Sequence, residues 1–243
     1  MNLTWHIMKK DLRRNAWPLL VWAVTLIVPH AGFGTRDLRN AATLADYVYI
    51  VSLLTHAVMV IAIIGAVIQE DDVTGSTAFW RTRPISPSRL LGAKLGVLGV
   101  VWAVEVFSSL ALIWAANSPP KHPWEAVIQA SLSLGSSILA CAALASCSKT
   151  MARFILGGIL CVIACMALST GLGKLGLATL RTAPRDALGT MLFVILALIG
   201  ASGLAVLLNQ YFGRRPAFSV GMIAGAVVGI ALVSNYWRWN FLS

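Results

Sequence analysis

Two ionisable side chains lie deep inside uncharged stretches of the sequence, where they could do chemistry within a membrane. Glu105 interrupts an apolar run of 26 residues from Leu95 to Pro120, and His56 lies about nine residues into the run before it. A carboxyl group in the hydrocarbon of a bilayer is costly and by default marks a functional position or a contact inside a helix bundle. We expect His56, at comparable depth, to be the partner of Glu105. Both residues are candidates for a transport path, and the alternative is a protonated Glu105 that locks helix packing.

Other residue types that support catalysis lack the spacing that the chemistry requires. The GxGxxG pattern at 171–176 follows an apolar helix instead of a strand, and no βαβ unit surrounds it. Ser108 and Ser109 have no glycine context, no HExxH motif occurs, and the four cysteines form no CxxC pair. We predict no metal site, no cofactor and no ATP site on this chain. An intramembrane enzyme that uses His56 is an alternative.

The composition shows which elements must position these residues. Of the 243 residues, 58% are hydrophobic and 12% are charged, and the mean hydropathy is +0.79. Soluble domains carry roughly 25% charged residues, and disorder needs low hydrophobicity, so both classes are excluded. The uncharged runs reach the ~20 residues that a helix needs to cross ~30 Å of hydrocarbon. We predict an all-α polytopic membrane bundle in one domain, 1–243, with about seven spans at 16–34, 47–69, 94–117, 126–147, 154–172, 187–209 and 217–236.

The net charge of +10 comes from clusters of Lys and Arg between the predicted spans. With the N-terminus inside, 12 of the 19 basic residues fall on the inner side and 7 on the outer side, which favours a cytoplasmic N-terminus. The clusters are therefore topology signals, and we expect no nucleic-acid partner. Residues 3–14 are predicted to form an interfacial amphipathic helix, with Leu3, Ile7 and Trp5 toward the lipid and four bases toward anionic headgroups: Lys9, Lys10, Arg13 and Arg14. The alternative is a positively charged flank without regular structure.

The last predicted span carries a stripe of small residues. Gly221, Gly225 and Gly229 recur every four positions and so lie on one side of a helix, where another backbone can approach closely. We expect this stripe to pack within the chain, and contact with a second copy is the alternative.

The segment 70–93, between the second and third predicted spans, combines charged and aromatic residues on the cytoplasmic side. A short helix is predicted between Gly75 and Pro84, and it carries Phe79 and Trp80. Aromatic and Arg side chains together serve as anchors in protein interfaces, whereas a topology signal needs only the bases. We expect acid–base pairing to position the segment, through Asp71 or Asp72 with Lys94 or Arg89.

These residues resemble the permease subunits of type-2 ABC exporters. The resemblance rests on an acid at the end of the second span, then Gly-Ser, then AFWRTRPIS at 78–86, then RLLGAK at 89–94. The charged start, KKDLR at 9–13, and the ending, YWRWNFL at 236–242, are similar to that family too. Residues 126–208 match in hydropathy alone.

The resemblance implies that the segment 70–93 is a coupling segment that docks on a separate ABC ATPase, which binds MgATP. The residues that it implies for coupling are Glu70, Phe79, Trp80, Arg81, Arg83 and Pro84. It also implies a second permease copy or a paralogue as partner, and the bacterial inner membrane as the location. The family has a core of six spans, so six is the alternative to the seven counted here. A membrane anchoring or assembly subunit that transports nothing is the alternative from another class.

Overall fold

All regular structure in the described part of the chain is helical. The computed structural model describes residues 3–30, 44–70, 86–115, 123–172, 185–213 and 215–236. Its α-helices are α1 Leu3–Arg14, α2 Ala16–His30, α3 Leu44–Gln69, α4 Pro87–Ala115, α5 Pro123–Cys147, α6 Met151–Leu172, α7 Arg185–Leu208 and α8 Pro216–Tyr236. A π-helical turn, Asn209–Gly213, follows α7 directly. The predicted all-α polytopic class is confirmed.

Six helices within the described segments, α3 to α8, are long and apolar enough to cross a membrane. Hydrocarbon offers no partner for a free backbone N–H or C=O group, so such runs satisfy these groups internally as helices. The described part of α2 is apolar and has 15 residues, which cover about 22 Å of the ~30 Å required. The first predicted span, 16–34, continues into 31–34, which lie outside the described residues, so the count of seven spans stays a prediction. The last three predicted spans are each helices of full length.

Helix α4 begins earlier than the sequence suggests. The third span was predicted to start at residue 94, but the helix starts at Pro87, so 87–93 belong to it and not to the coupling segment. The backbone N–H groups of Arg89 and Leu90 donate to the Ser86 carbonyl at 3.1 and 3.2 Å. Ser86 thus precedes the helix in a position that favours capping residues, and Pro87 occupies the first turn, where its missing N–H costs nothing.

Helix α1 packs against α4. Ile7 is buried in the core, Leu3 packs against the same core, and a Cβ on Gly96 would lie 2.8 Å from the Met8 sulfur. The prediction that Leu3 and Ile7 lie in lipid is therefore wrong, because that face of α1 is covered by protein. Trp5, which was also predicted to face the lipid, is exposed.

One close contact between helix backbones involves a glycine outside the predicted stripe. A Cβ on Gly203 of α7 would lie 2.9 Å from the backbone carbonyl of Leu139 on α5, so only glycine permits this contact. Of the predicted stripe, Gly229 faces Leu198 of α7, where a Cβ would lie 3.1 Å from the Leu198 side chain. Within the described residues nothing lies within 4 Å of a Cβ placed on Gly221 or Gly225. Packing within the chain thus holds for Gly229 alone.

Candidate functional site

Glu105 of α4 lies at the meeting point of three helices. Its Oε1 accepts a hydrogen bond from Trp22 Nε1 of α2 at 2.7 Å and lies 3.0 Å from His56 Nε2 of α3. Glu105 is only 5% exposed. The structure therefore joins His56 and Glu105, as their depth in the sequence led us to expect. We call Trp22, Thr25, His56 and Glu105 the Glu105 cluster.

Thr25 fixes the orientation of the imidazole. Its hydroxyl donates to the Trp22 carbonyl at 2.7 Å, and the same oxygen lies 3.1 Å from His56 Nδ1. A hydroxyl has one hydrogen, so once this is donated to the carbonyl the oxygen can only accept from His56. His56 Nδ1 therefore carries a hydrogen and donates it to Thr25. The other ring nitrogen, Nε2, is the one that faces the carboxyl group.

The local sequence explains why these groups converge. Trp22 and Thr25 are three residues apart and so lie on the same face of α2. Sequence reasoning missed both, because a Trp and a Thr in an apolar helix are neutral and stand out in neither charge nor hydropathy. The enclosure of Glu105 fits the packing alternative, and a role of His56 and Glu105 in a transport path stays a prediction.

A second set of contacts joins α1 to α3 and α4, and we call it the α1 clamp: Lys10, Asp11, Arg14, Glu70 and Lys94. Lys94 Nζ donates to Asp11 Oδ2 at 2.9 Å, and both side chains are 0% exposed. Glu70, at the end of α3, accepts from Lys10 at 3.1 Å and from Arg14 at 2.9 Å through Oε1. Lys10 and Arg14 are four residues apart and lie on one face of α1, so both reach the same carboxylate.

The α1 clamp adds a partner that the sequence did not suggest. Lys94 pairs with Asp11 of α1, while its expected partners Asp71 and Asp72 lie outside the described residues, so that pairing stays a prediction. Glu70, a predicted coupling residue, has a side chain that is only 5% exposed and is engaged by α1. The other predicted coupling residues lie outside the described residues: Phe79, Trp80, Arg81, Arg83 and Pro84. Docking on an ATPase therefore stays a prediction.

Other candidate chemistry is absent from the part of the chain that the structure describes. No group of three His, Cys, Asp or Glu side chains there could hold a metal ion. The four cysteines are free thiols. A groove of about 380 Å³ between α5 and α7 is lined by Gln129, Ser133, Leu192 and Leu196, among others, and by no member of the two clusters.

The fold defines a multi-pass α-helical membrane protein. Comparison of the chain with protein-family profiles, with curated proteins and with solved structures gives no match. The function must therefore be argued from the sequence and from the geometry of the Glu105 cluster and the α1 clamp.

Proposed function

We propose that this chain is the permease subunit of an ATP-driven exporter of the type-2 ABC class. A separate ABC ATPase would bind and hydrolyse MgATP, so the chain itself would not be an enzyme. Two permease copies, or this chain and a paralogue, would form the substrate path between them. The protein would lie in the bacterial inner membrane with its N-terminus in the cytoplasm.

The observation that carries this proposal is the position of the α1 clamp relative to the segment 71–85. Glu70 directly precedes that segment, and Lys94 lies eight residues after Ser86 on the helix that follows it. Helix α1 is bonded to both of them. A loop that passes force from a soluble ATPase to membrane helices needs firm attachment at both ends, and this arrangement supplies it. A loop that serves only as a topology signal has no such requirement.

The proposed contact with the ATPase depends chiefly on two aromatic side chains. Phe79 and Trp80 would insert into a groove of the ATPase, and Arg81 and Arg83 would pair with acidic residues around its rim. An aromatic anchor in a desolvated pocket is worth ~2 kcal/mol or more, whereas an exposed ion pair is usually worth under ~1 kcal/mol. Trp80→Ala should therefore weaken ATPase binding more than Arg81→Ala.

The test is purification of the full-length protein from its native membrane, identification of an ABC ATPase that co-purifies with it, and measurement of ATP turnover of the complex in proteoliposomes. The variant is Phe79→Ala with Trp80→Ala, and it should lose the ATPase at normal membrane expression. Trp5→Ala is the matched control, because it removes an exposed indole from α1. Full ATPase binding and normal coupled turnover in the double variant would refute the proposal. An ATPase that binds but whose turnover ignores the permease would favour an anchoring subunit instead.

A further inference from the structure

We propose that His56 and Glu105 form a binding site for a single exchangeable proton within the membrane, and that the proton-bound, charge-neutral form fastens α2 to α3 and α4. This inference rests on the geometry of the Glu105 cluster and does not depend on the exporter function.

The proton count follows from the hydrogen bonds. Nδ1 of His56 carries a hydrogen for Thr25, so the 3.0 Å contact between Nε2 and Glu105 Oε1 needs one further proton. If that proton is on Nε2, the pair is an imidazolium with a carboxylate. If it is on the carboxyl group, the pair is a neutral imidazole with a carboxylic acid. Both forms contain the same number of protons and are neutral overall, which is the state that a bilayer tolerates best.

Without that proton, two hydrogen-bond acceptors face each other with no hydrogen between them. The lone pair of Nε2 would then face a carboxylate oxygen across the same contact, with Trp22 Nε1–H as the donor to that oxygen among the described residues. A buried carboxylate without a counter-charge is strongly unfavourable. The contacts that would weaken are those by which α2 reaches its neighbours, from Trp22 to Glu105 and from Thr25 to His56.

Among the described residues, the ion pairing of the cluster is confined to the contact between His56 and Glu105. The described side chains of α2, from 16 to 26, include no ionisable group. On α4, Lys94 is 11 residues before Glu105, about 16 Å along the helix, and it is engaged by Asp11. The other charged side chains described on α3, on α4 and on the elements packed against them lie near helix ends or on α1: Glu70, Arg89, Glu125, Arg153 and the charged residues of α1. Tyr211, on the π-helical turn that packs against α4, is buried and neutral in its phenol form.

The test measures the thermal stability of the full-length protein in lipid nanodiscs as a function of pH. Glu105→Gln keeps the hydrogen-bond pattern without an exchangeable proton, because the amide oxygen accepts from Trp22 and the amide nitrogen donates to His56. This variant should fold. Its stability should stay constant at alkaline pH, where we expect the stability of the wild type to fall. Glu125→Gln, which removes an exposed carboxyl on α5, should keep the wild-type profile.

His56→Gln should lower the pH at which stability falls, because an amide oxygen is a weaker base than imidazole and holds the proton less firmly. The double variant with Glu105→Gln should lose that pH dependence again, which simple packing loss does not predict. Should His56→Gln fail to fold, Thr25→Val and Thr25→Ser form a second matched pair. Valine removes the acceptor for Nδ1–H and should lower the transition pH, whereas serine should preserve it. A pH profile unchanged by Glu105→Gln, or a double variant as pH-sensitive as His56→Gln alone, would overturn the proposal.

Discussion

Replacement of Lys94 by Met is expected to destabilise the protein by about 3–5 kcal/mol. The ammonium group of Lys94 lies 2.9 Å from Asp11, and neither side chain is exposed to solvent. Methionine fills a similar volume but leaves a carboxyl group in the interior without its cation. Most of the expected loss in stability is the cost of burying the Asp11 carboxylate without Lys94. The lost attraction contributes less, because burying two ions already costs much of the free energy that their pairing gains.

The same reasoning gives two matched comparisons. Arg14→Met breaks a pair whose cation is 68% exposed, and it should cost under ~1 kcal/mol. The double variant Asp11→Leu with Lys94→Met replaces both charges by apolar groups and should recover most of the loss, since such replacements are often neutral or stabilising. The double variant should therefore be more stable than Lys94→Met alone.

The measurement is reversible unfolding of the purified full-length protein in mixed micelles, followed by tryptophan fluorescence and circular dichroism. Arg13→Met, on the same helix, controls for a general effect of charge removal from α1. The reasoning fails if Lys94→Met lies within ~1 kcal/mol of the wild type, the range expected of an exposed pair. It also fails if the double variant is as unstable as the single one, because the cost would then lie in packing and not in the unpaired charge.

Two further predictions concern helix packing and topology. Gly203→Ala should destabilise the protein by about 1–3 kcal/mol in the same unfolding assay, because the added methyl would lie 2.9 Å from the Leu139 carbonyl. Gly225→Ala, where nothing described lies within 4 Å, should cost nothing measurable. Equal losses in the two variants would contradict the α5–α7 contact. In a cysteine-free background, a membrane-impermeant thiol reagent added outside should label a cysteine at Glu125 but not one at Arg215, and the reverse pattern would invert the proposed orientation.

Hydropathy predicts most of the fold because the bilayer imposes one requirement on every span. Runs of uncharged residues are sufficient to locate α3 and α5 to α8 within a few residues of their observed bounds. The start of α4 was misplaced because Arg89 and Lys94 look like loop residues in a sequence. Lys94 lies inside the bundle, where its ammonium group donates to Asp11, 83 residues earlier in the sequence. A hydropathy profile evaluates each segment separately and does not include ion pairs between segments that are distant in the sequence.

The candidate site was predictable in part for the same reason. Glu105 and His56 stand out because charge and imidazole are rare within spans, and equal depth was enough to suggest their contact. Trp22 and Thr25 carry no comparable signal, because both residue types occur in apolar helices without any polar partner. The glycine stripe shows the opposite error, since regular spacing selected Gly221 and Gly225, whereas the close contact uses Gly203. The regular spacing of glycines shows that one helix face carries small residues, but it does not show which helix packs against that face.

The N-terminal part of the chain, α1 and α2, provides the partners for the ionisable side chains that α3 and α4 hold away from water. It supplies Asp11 to Lys94, the cations of α1 to Glu70, and Trp22 and Thr25 to the pair of Glu105 and His56. The two helices are also continuous in their hydrogen bonding, since Asn15 N–H donates to the Asp11 carbonyl at 3.0 Å and Leu19 N–H donates to the Asn15 carbonyl at 2.9 Å. We therefore expect a displacement of α1 against α4 to move Trp22 and Thr25 as well. Helix α1, the least apolar of the described helices, thus has a physical reason to pack against the core, because it brings Asp11 to the buried Lys94 and two cations to the buried Glu70.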